Sequence, residues 1–155
     1  MAATHLQAKR ELPYAPEDLC RLVGDVRGYP SFIPWIQSLR VLRETPLEKG
    51  GWEGVAEAVV GWKAITERFA TRVRCEPAKG EVDVALVSGP FKTLKNQWRF
   101  APLPGGASLV SFVIVYEFRN PILNALVGAN RERASQKIME AFEVEAARRF
   151  GQGPL

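Results

Sequence analysis

The chain has 155 residues, 46% hydrophobic and 25% charged, a composition that fits one soluble domain (residues 1–155) with a sizeable core. A single histidine (His5) and two cysteines without metal-ligand spacing argue against a structural zinc site and against Ser/His/Asp or Cys/His catalysis. The net charge of +4 suits either attraction to anionic lipid or RNA, or an ordinary solvated surface.

In chain order, Thr4 to Leu12 reads as a first strand. Pro16, followed by Glu17 and Asp18, opens a short helix with an apolar face of Leu19, Leu22 and Val23. Gly24 and Gly28 interrupt it, and Tyr29 to Trp35 reads as an aromatic and proline-rich turn or short helix. Strands follow over Ile36–Thr45 and Trp52–Val60, with Gly61 expected as a tight reversal before Trp62–Cys75. In that last segment Ile65, Phe69 and Val73 alternate with Arg68, Arg72 and Arg74. Glu81–Ser88, a strand in which Leu94, Asn96, Trp98 and Phe100 alternate with polar residues, and Ala107–Phe118 complete about seven strands. Asn120-Pro121 then supplies an N-cap and a helix-ready proline. One long helix is expected from there to Gly151, with Arg148 and Arg149 at its favourable end. Short connections favour a meander, and a single terminal helix needs a curved sheet to cover its apolar stripe. The space between helix and sheet is then a natural ligand cavity.

Few residues suggest chemistry. No Gly-rich phosphate loop, dinucleotide fingerprint or metal-ligand cluster is present, so the metal set is none. Nothing of about 18 apolar residues spans a bilayer. The first ten residues carry no signal or transit pattern, which makes a cytoplasmic protein the expectation. Cys20 and Cys75 read as inert core thiols. Glu67 shares the inward parity of Ile65, Phe69 and Val73. It is either a polar contact or acid/base inside the cavity, or a strand-end carboxylate that reaches solvent or pairs with a cation. Asn96 is either a ligand hydrogen bond in a greasy space or a structurally satisfied amide. The aromatic residues close a solid core or line an apolar cavity, and Trp98 and Trp35 each need a partner for their N–H.

Three segments carry a family resemblance. Asp25-Val26-Arg27-Gly28-Tyr29-Pro30-Ser31-Phe32-Ile33-Pro34-Trp35 resembles the signature that follows the first strand of coenzyme Q-binding, START-like proteins of the polyketide cyclase superfamily. The second is Gly89-Pro90-Phe91-Lys92-Thr93-Leu94-Lys95-Asn96-Gln97-Trp98-Arg99-Phe100, and the third is Tyr116-Glu117-Phe118-Arg119-Asn120-Pro121 with the helix behind it. The resemblance implies an α+β helix-grip fold: a curved antiparallel sheet of about seven strands around a long C-terminal helix, with two short N-terminal helices. It also implies non-enzymatic binding of ubiquinone as ligand rather than catalytic cofactor, in support of respiratory electron transport. The tunnel would be lined by Phe32, Trp35, Phe69, Phe91, Leu94, Trp98, Phe100, Phe112, Leu126 and Ile138, with Glu67 and Asn96 as polar contacts.

Bacterial members of the same family are labelled ribosome association toxins (RatA), which makes the ribosome the alternative partner. Arg68, Arg72, Arg74, Lys95 and Arg99 would then form a basic strand face, the other reading being a solvated face that discourages aggregation. The segment Pro121 to Ala129 is apolar nearly all round and is followed by Arg131, Arg133 and Lys137. It is either a portal touching membrane lipid or a helix gripped on all sides by the sheet. The absence of the mitochondrial members' targeting extension points to the bacterial cytoplasm, with peripheral contact at the inner membrane. A cyclase-like enzyme is the third reading.

Overall fold

In the computed structural model, which describes residues 3–62, 65–128 and 131–151, seven strands form one antiparallel sheet. They are β1 (Thr4–Leu12), β2 (Ile36–Pro46), β3 (Trp52–Trp62), β4 (Ile65–Glu76), β5 (Glu81–Ser88), β6 (Phe91–Leu103) and β7 (Ala107–Phe118). The spatial order β1-β7-β6-β5-β4-β3-β2 is a meander from β2 to β7, with β1 added beside β7. The helices are α1 (Pro16–Gly24), a 3₁₀ helix (Val26–Ser31), α2 (Pro121–Gly128) and α3 (Arg131–Phe150).

Local chemistry explains the helix ends. Pro16 sits in the first turn of α1 with Glu17 and Asp18, and Leu19, Cys20, Leu22 and Val23 are all buried beneath it. The Asn120 side chain accepts from the Ile122 N–H at 2.8 Å, so the expected N-cap of α2 is formed. At the far end Gly151 adopts φ 82° and bonds Ala147, the left-handed stop that the sequence expects. Tyr14 fastens that end by donating to the Gly151 carbonyl at 3.0 Å. The chain is helical on both sides of residues 129–130, which lie outside the described residues.

Gly61 corrects one expectation. It does not reverse the chain: β3 runs through it to Trp62, pairing Gly61 with Thr66 and Trp62 with Ile65. Its N–H bonds the Trp35 carbonyl at 2.9 Å, and a Cβ there would collide with the Gln37 amide. Close approach of a neighbouring segment, rather than turn geometry, is what selects glycine.

The core sits where α1, α3 and the 3₁₀ helix press on one end of the concave sheet face. Its members include Leu19, Leu22, Val23, Val82, Trp98, Phe100, Val110, Phe112, Met139 and Phe142. On α3, Ser135, Met139, Phe142 and Ala146 are buried, spaced as one helical face. Arg10, opposite Val110 on the inner face of β1, ties the strand to α3 through Glu143 at 3.3 Å. A tighter cluster holds the last turns of α3. Glu145, only 3% exposed, pairs with Arg149 at 2.7 Å and with Arg148, and Arg149 reaches Asp25 at 3.2 Å. Its bonds to Arg148 and Arg149 hold the Glu145 carboxyl down at about 2, against the cost of burial.

Candidate functional site

The strand register lays the concave face out as rows of side chains that cross the sheet. One row runs Trp52, Cys75, Val82, Trp98, Phe112 and Ala8. The next runs Gly54, Val73, Val84, Asn96, Ile114 and Leu6, and beyond it stand Ala56, Thr71 and Leu86 on one side with Leu94, Tyr116 and Thr4 on the other. Leu39, Ala58 and Phe69, then Ile36, Val60 and Glu67, form the last two rows. From Cys75 to Phe69 this floor is about 20 Å long, six residues of strand.

Helices cover the floor at one end only. Around Trp98 the interior is solid: Phe142 of α3 lies edge-on to Trp98 (5.1 Å), Phe32 (5.3 Å) and Tyr29 (5.4 Å), and Trp98 packs on Phe112 at 4.7 Å. The void left among Leu19, Leu22, Val23, Trp98, Phe100, Met139 and Phe142 is about 10 Å³. A drug-sized ligand needs several hundred, so the tunnel expected at Phe32, Trp98, Phe100 and Phe112 is filled by those side chains themselves. Ile138 and Trp35 are partly buried against the same cluster.

Toward the other end the floor opens. Val60, Glu67, Phe69, Val84, Leu86, Leu94, Asn96 and Ile114 are only partly buried. The aromatic residues of two sequence motifs meet here. Phe69 is edge-on to Phe91 at 5.4 Å, Phe91 stacks on Phe118 at 4.6 Å, and Phe118 is edge-on to Tyr116 at 5.8 Å. Gly89, at φ 145°, lets the chain cross directly over Phe69, where a Cβ would clash. The Pro90 and Phe91 carbonyls then accept from the Arg119 N–H (2.8 Å) and its Nε (3.1 Å). Asn124 docks α2 by bonding both backbone groups of Phe118, at 2.8 and 3.0 Å. Sequence reasoning missed Tyr116, Arg119 and Asn124 as constructive residues. The only signal was their place inside or just after the third motif.

The polar groups divide clearly. Asn96 accepts from the Trp98 indole at 3.0 Å and donates to the Val113 carbonyl at 2.9 Å. Trp98 thus has its partner, and Asn96 keeps one N–H and one lone pair unused. Glu67 lies opposite Val60 without an ion-pair partner among the described residues. The Tyr116 hydroxyl, on a residue 6% exposed, has no hydrogen-bond partner among the described residues. Thr4 faces it across the sheet. Burial raises the Tyr116 pKa, opposed by Thr4 and Arg131.

Outside the concave face, Cys20 and Cys75 are both buried, and the bond to Cys75 together with desolvation pushes the Cys20 thiol up. A concavity of about 200 Å³ is a surface cleft bounded by Arg21, Asp25, Arg27, Trp52 and Cys75, away from the open floor. Its two arginines are already paired with Glu17 and Glu44. On the convex face Arg68 pairs with Glu57 at 3.0 Å, and Arg74 with Glu53 and Glu76. Arg99 lies 2.9 Å from Asp83, an ion pair without hydrogen-bond alignment. Arg72 and Lys95 have no carboxylate within 4 Å among the described residues. The strand face is therefore a charge lattice rather than a uniformly basic patch. Arg131, Arg133 and Lys137 are exposed, and Leu126 is 39% exposed.

Residues 12–143 match the polyketide cyclase / dehydrase and lipid transport family. The chain belongs to that family. The sheet gripping a C-terminal helix is its START-like fold. The ribosome association toxin RatA of Rickettsia prowazekii is 33% identical over 143 residues, covering 90% of this chain and 94% of the toxin. The mitochondrial coenzyme Q-binding protein coq10 of Schizosaccharomyces pombe is 28% identical over 144 residues, 90% of this chain and 85% of that one. The solution structure of an 18 kDa protein from Caulobacter crescentus superposes with a TM-score of 0.77 at 40% identity, covering 96% of this chain and 99% of that one. No described helix is long and apolar enough to cross a membrane.

Proposed function

We propose that this START-like chain binds a hydrophobic lipid, an isoprenoid quinone such as ubiquinone, without chemical conversion, as a carrier or chaperone for respiratory electron transport. The observation that carries this reading is the partly exposed apolar floor beside a buried Tyr116 hydroxyl without a hydrogen-bond partner among the described residues. A quinone carbonyl can accept from Tyr116 and from the unused Asn96 N–H, while Leu94, Ile114, Phe69 and Phe91 cover the nearest isoprene units. At about 0.8 kcal/mol per buried CH₂, two or three units offset much of the cost of ordering the ligand. The similarity to a coenzyme Q-binding protein supports the choice of quinone. Glu67 has no ion-pair partner among the described residues, and no reaction is assigned to it.

Organic extraction of the purified protein followed by mass spectrometry tests this, together with titration by a short-chain quinone monitored at Leu94 and Ile114 by NMR. We expect recovered quinone and saturable shifts confined to the open end. Neither quinone nor shifts would end the reading.

The similarity to a ribosome association toxin supports a second reading, a ribosome-bound role through Arg72 and Lys95, two cations of the convex face without a carboxylate partner among the described residues. Co-sedimentation with ribosomal particles over a salt series tests it. Binding that falls steeply with salt and with the double change Arg72→Gln, Lys95→Gln supports it. Salt-independent or absent binding removes it.

A further inference from the structure

The helix that stands at the open end of the groove leaves an apolar face uncovered. In α2 only Leu123 is buried; Ile122 is 69% exposed, and Pro121 and Ala125 are exposed beside it. The expectation that the sheet grips this segment on all sides does not hold, because Asn124 fixes the helix to the tip of β7 by one edge.

Unbalanced charge collects in the same stretch of chain. Between residues 119 and 137 there are four cations (Arg119, Arg131, Arg133, Lys137) and one carboxylate (Glu132), a net of +3 out of +4 for the whole chain. None of the four has a carboxylate within 4 Å among the described residues, whereas Arg68, Arg74 and Arg99 of the sheet do. Arg119 precedes α2 by two residues, Arg131 follows Gly128 by three, and Arg133 and Lys137 share one exposed side of α3 at i, i+4 spacing. An exposed apolar helix face flanked in sequence by cations without carboxylate partners among the described residues matches the chemistry of a bilayer surface with anionic headgroups.

We propose that the exposed face of α2, with Arg119, Arg131, Arg133 and Lys137 around it, docks this protein on an anionic phospholipid surface. This deepens the lipid-carrier reading and rests on it, because docking there sets the aromatic end of the groove (Phe69, Phe91, Phe118) against the lipid reservoir. An RNA partner would use the cations but has no use for Ile122, which is why the membrane is the favoured occupant.

The full chain is sedimented with quinone-free vesicles of phosphatidylcholine and with vesicles that also contain phosphatidylglycerol. The expected result is binding to the anionic vesicles alone, weakened by salt. Neutralising Arg133→Gln and Lys137→Gln should lower partitioning about fivefold for each charge. Ile122→Ser should lower it about tenfold while leaving the melting temperature unchanged, since the side chain is exposed. Failure to bind anionic vesicles, or binding indifferent to Ile122→Ser, overturns the proposal. So does loss of ribosomal-particle binding in the charge variants without vesicle binding, which would make the surface an RNA face. Because the vesicles hold no quinone, a failed quinone titration with vesicle binding intact would remove the groove reading alone.

Discussion

The two ends of the concave face share the same strands, but one end is solid and the other is open. Around Trp98 the rings of Phe142, Phe112 and Phe100 fill the space to a residual void of about 10 Å³. One to three rows further along, Ile114, Leu94 and Phe69 are left partly exposed because α3 packs along β1 and α1, while α2 meets the end of β7. The difference teaches that strand alternation alone sets which side chains face inward, while helix placement sets which of them are buried. Stability and ligand capacity are thereby assigned to different ends of one sheet.

Substitutions can break that division or sharpen it. The largest expected effect is Phe142→Ala at the closed end, which should cost about 3–5 kcal/mol in chemical denaturation, because its aromatic neighbours Tyr29, Phe32 and Trp98 cannot collapse into the hole. If it cost less than about 1 kcal/mol, the closed end would not be the stabilising one.

Glu145→Gln comes next, at about 2 kcal/mol near neutral pH after allowance for the exposure of Arg148. The folded carboxyl lies at about 2 and its ordinary value is 4.5, so its contribution is complete above 4.5 and drains as pH falls toward 2. Wild-type stability should therefore drop through that window, and the variant's should drop less. Parallel pH profiles would show that the Arg148 and Arg149 bonds do not hold the helix end.

Leu94→Ala, at the open end, should cost about 1 kcal/mol in stability, since the side chain is already partly exposed. It should weaken short-chain quinone binding severalfold. A loss as large as that of Phe142→Ala would mean that both ends are core. The smallest stability effect should have the opposite sign. Tyr116→Phe removes a buried hydroxyl without a partner among the described residues, so the free protein should gain about 1 kcal/mol. Its quinone affinity should fall about fivefold, for loss of one hydrogen bond. A destabilised Tyr116→Phe variant would show that the hydroxyl is already satisfied.

Much of this was legible in the residues. The limits of β1, β5 and β7 follow from apolar alternation between Gly, Pro and Asn signals, and the caps at Asn120 and Gly151 from local chemistry. The three motifs found their places for physical reasons. Tyr29 and Phe32 clamp Phe142, while Pro90, Phe91 and Arg119 weld two strand ends beside the opening. The candidate site was legible as a set of inward residues but not as a shape. Phe32, Trp98, Phe100 and Phe112 have the same parity and hydrophobicity as Leu94 and Phe69, and nothing local distinguishes a filled row from an open one. The strand cations left a basic patch and a solvated face both open for a similar reason: Glu57, Glu53 and Asp83 neutralise some of them from neighbouring strands, and that pairing exists only in the folded register.

By itself, the sequence determined the elements, their inward faces and the family, because backbone propensity, side-chain period and capping act over a few residues. Only the tertiary structure decided which end of the sheet is full, which cations remain free, and that α2 shows its apolar side to solvent. Those depend on contacts between residues far apart in the chain, where the lie of one helix across a curved sheet sets how much of each row is covered.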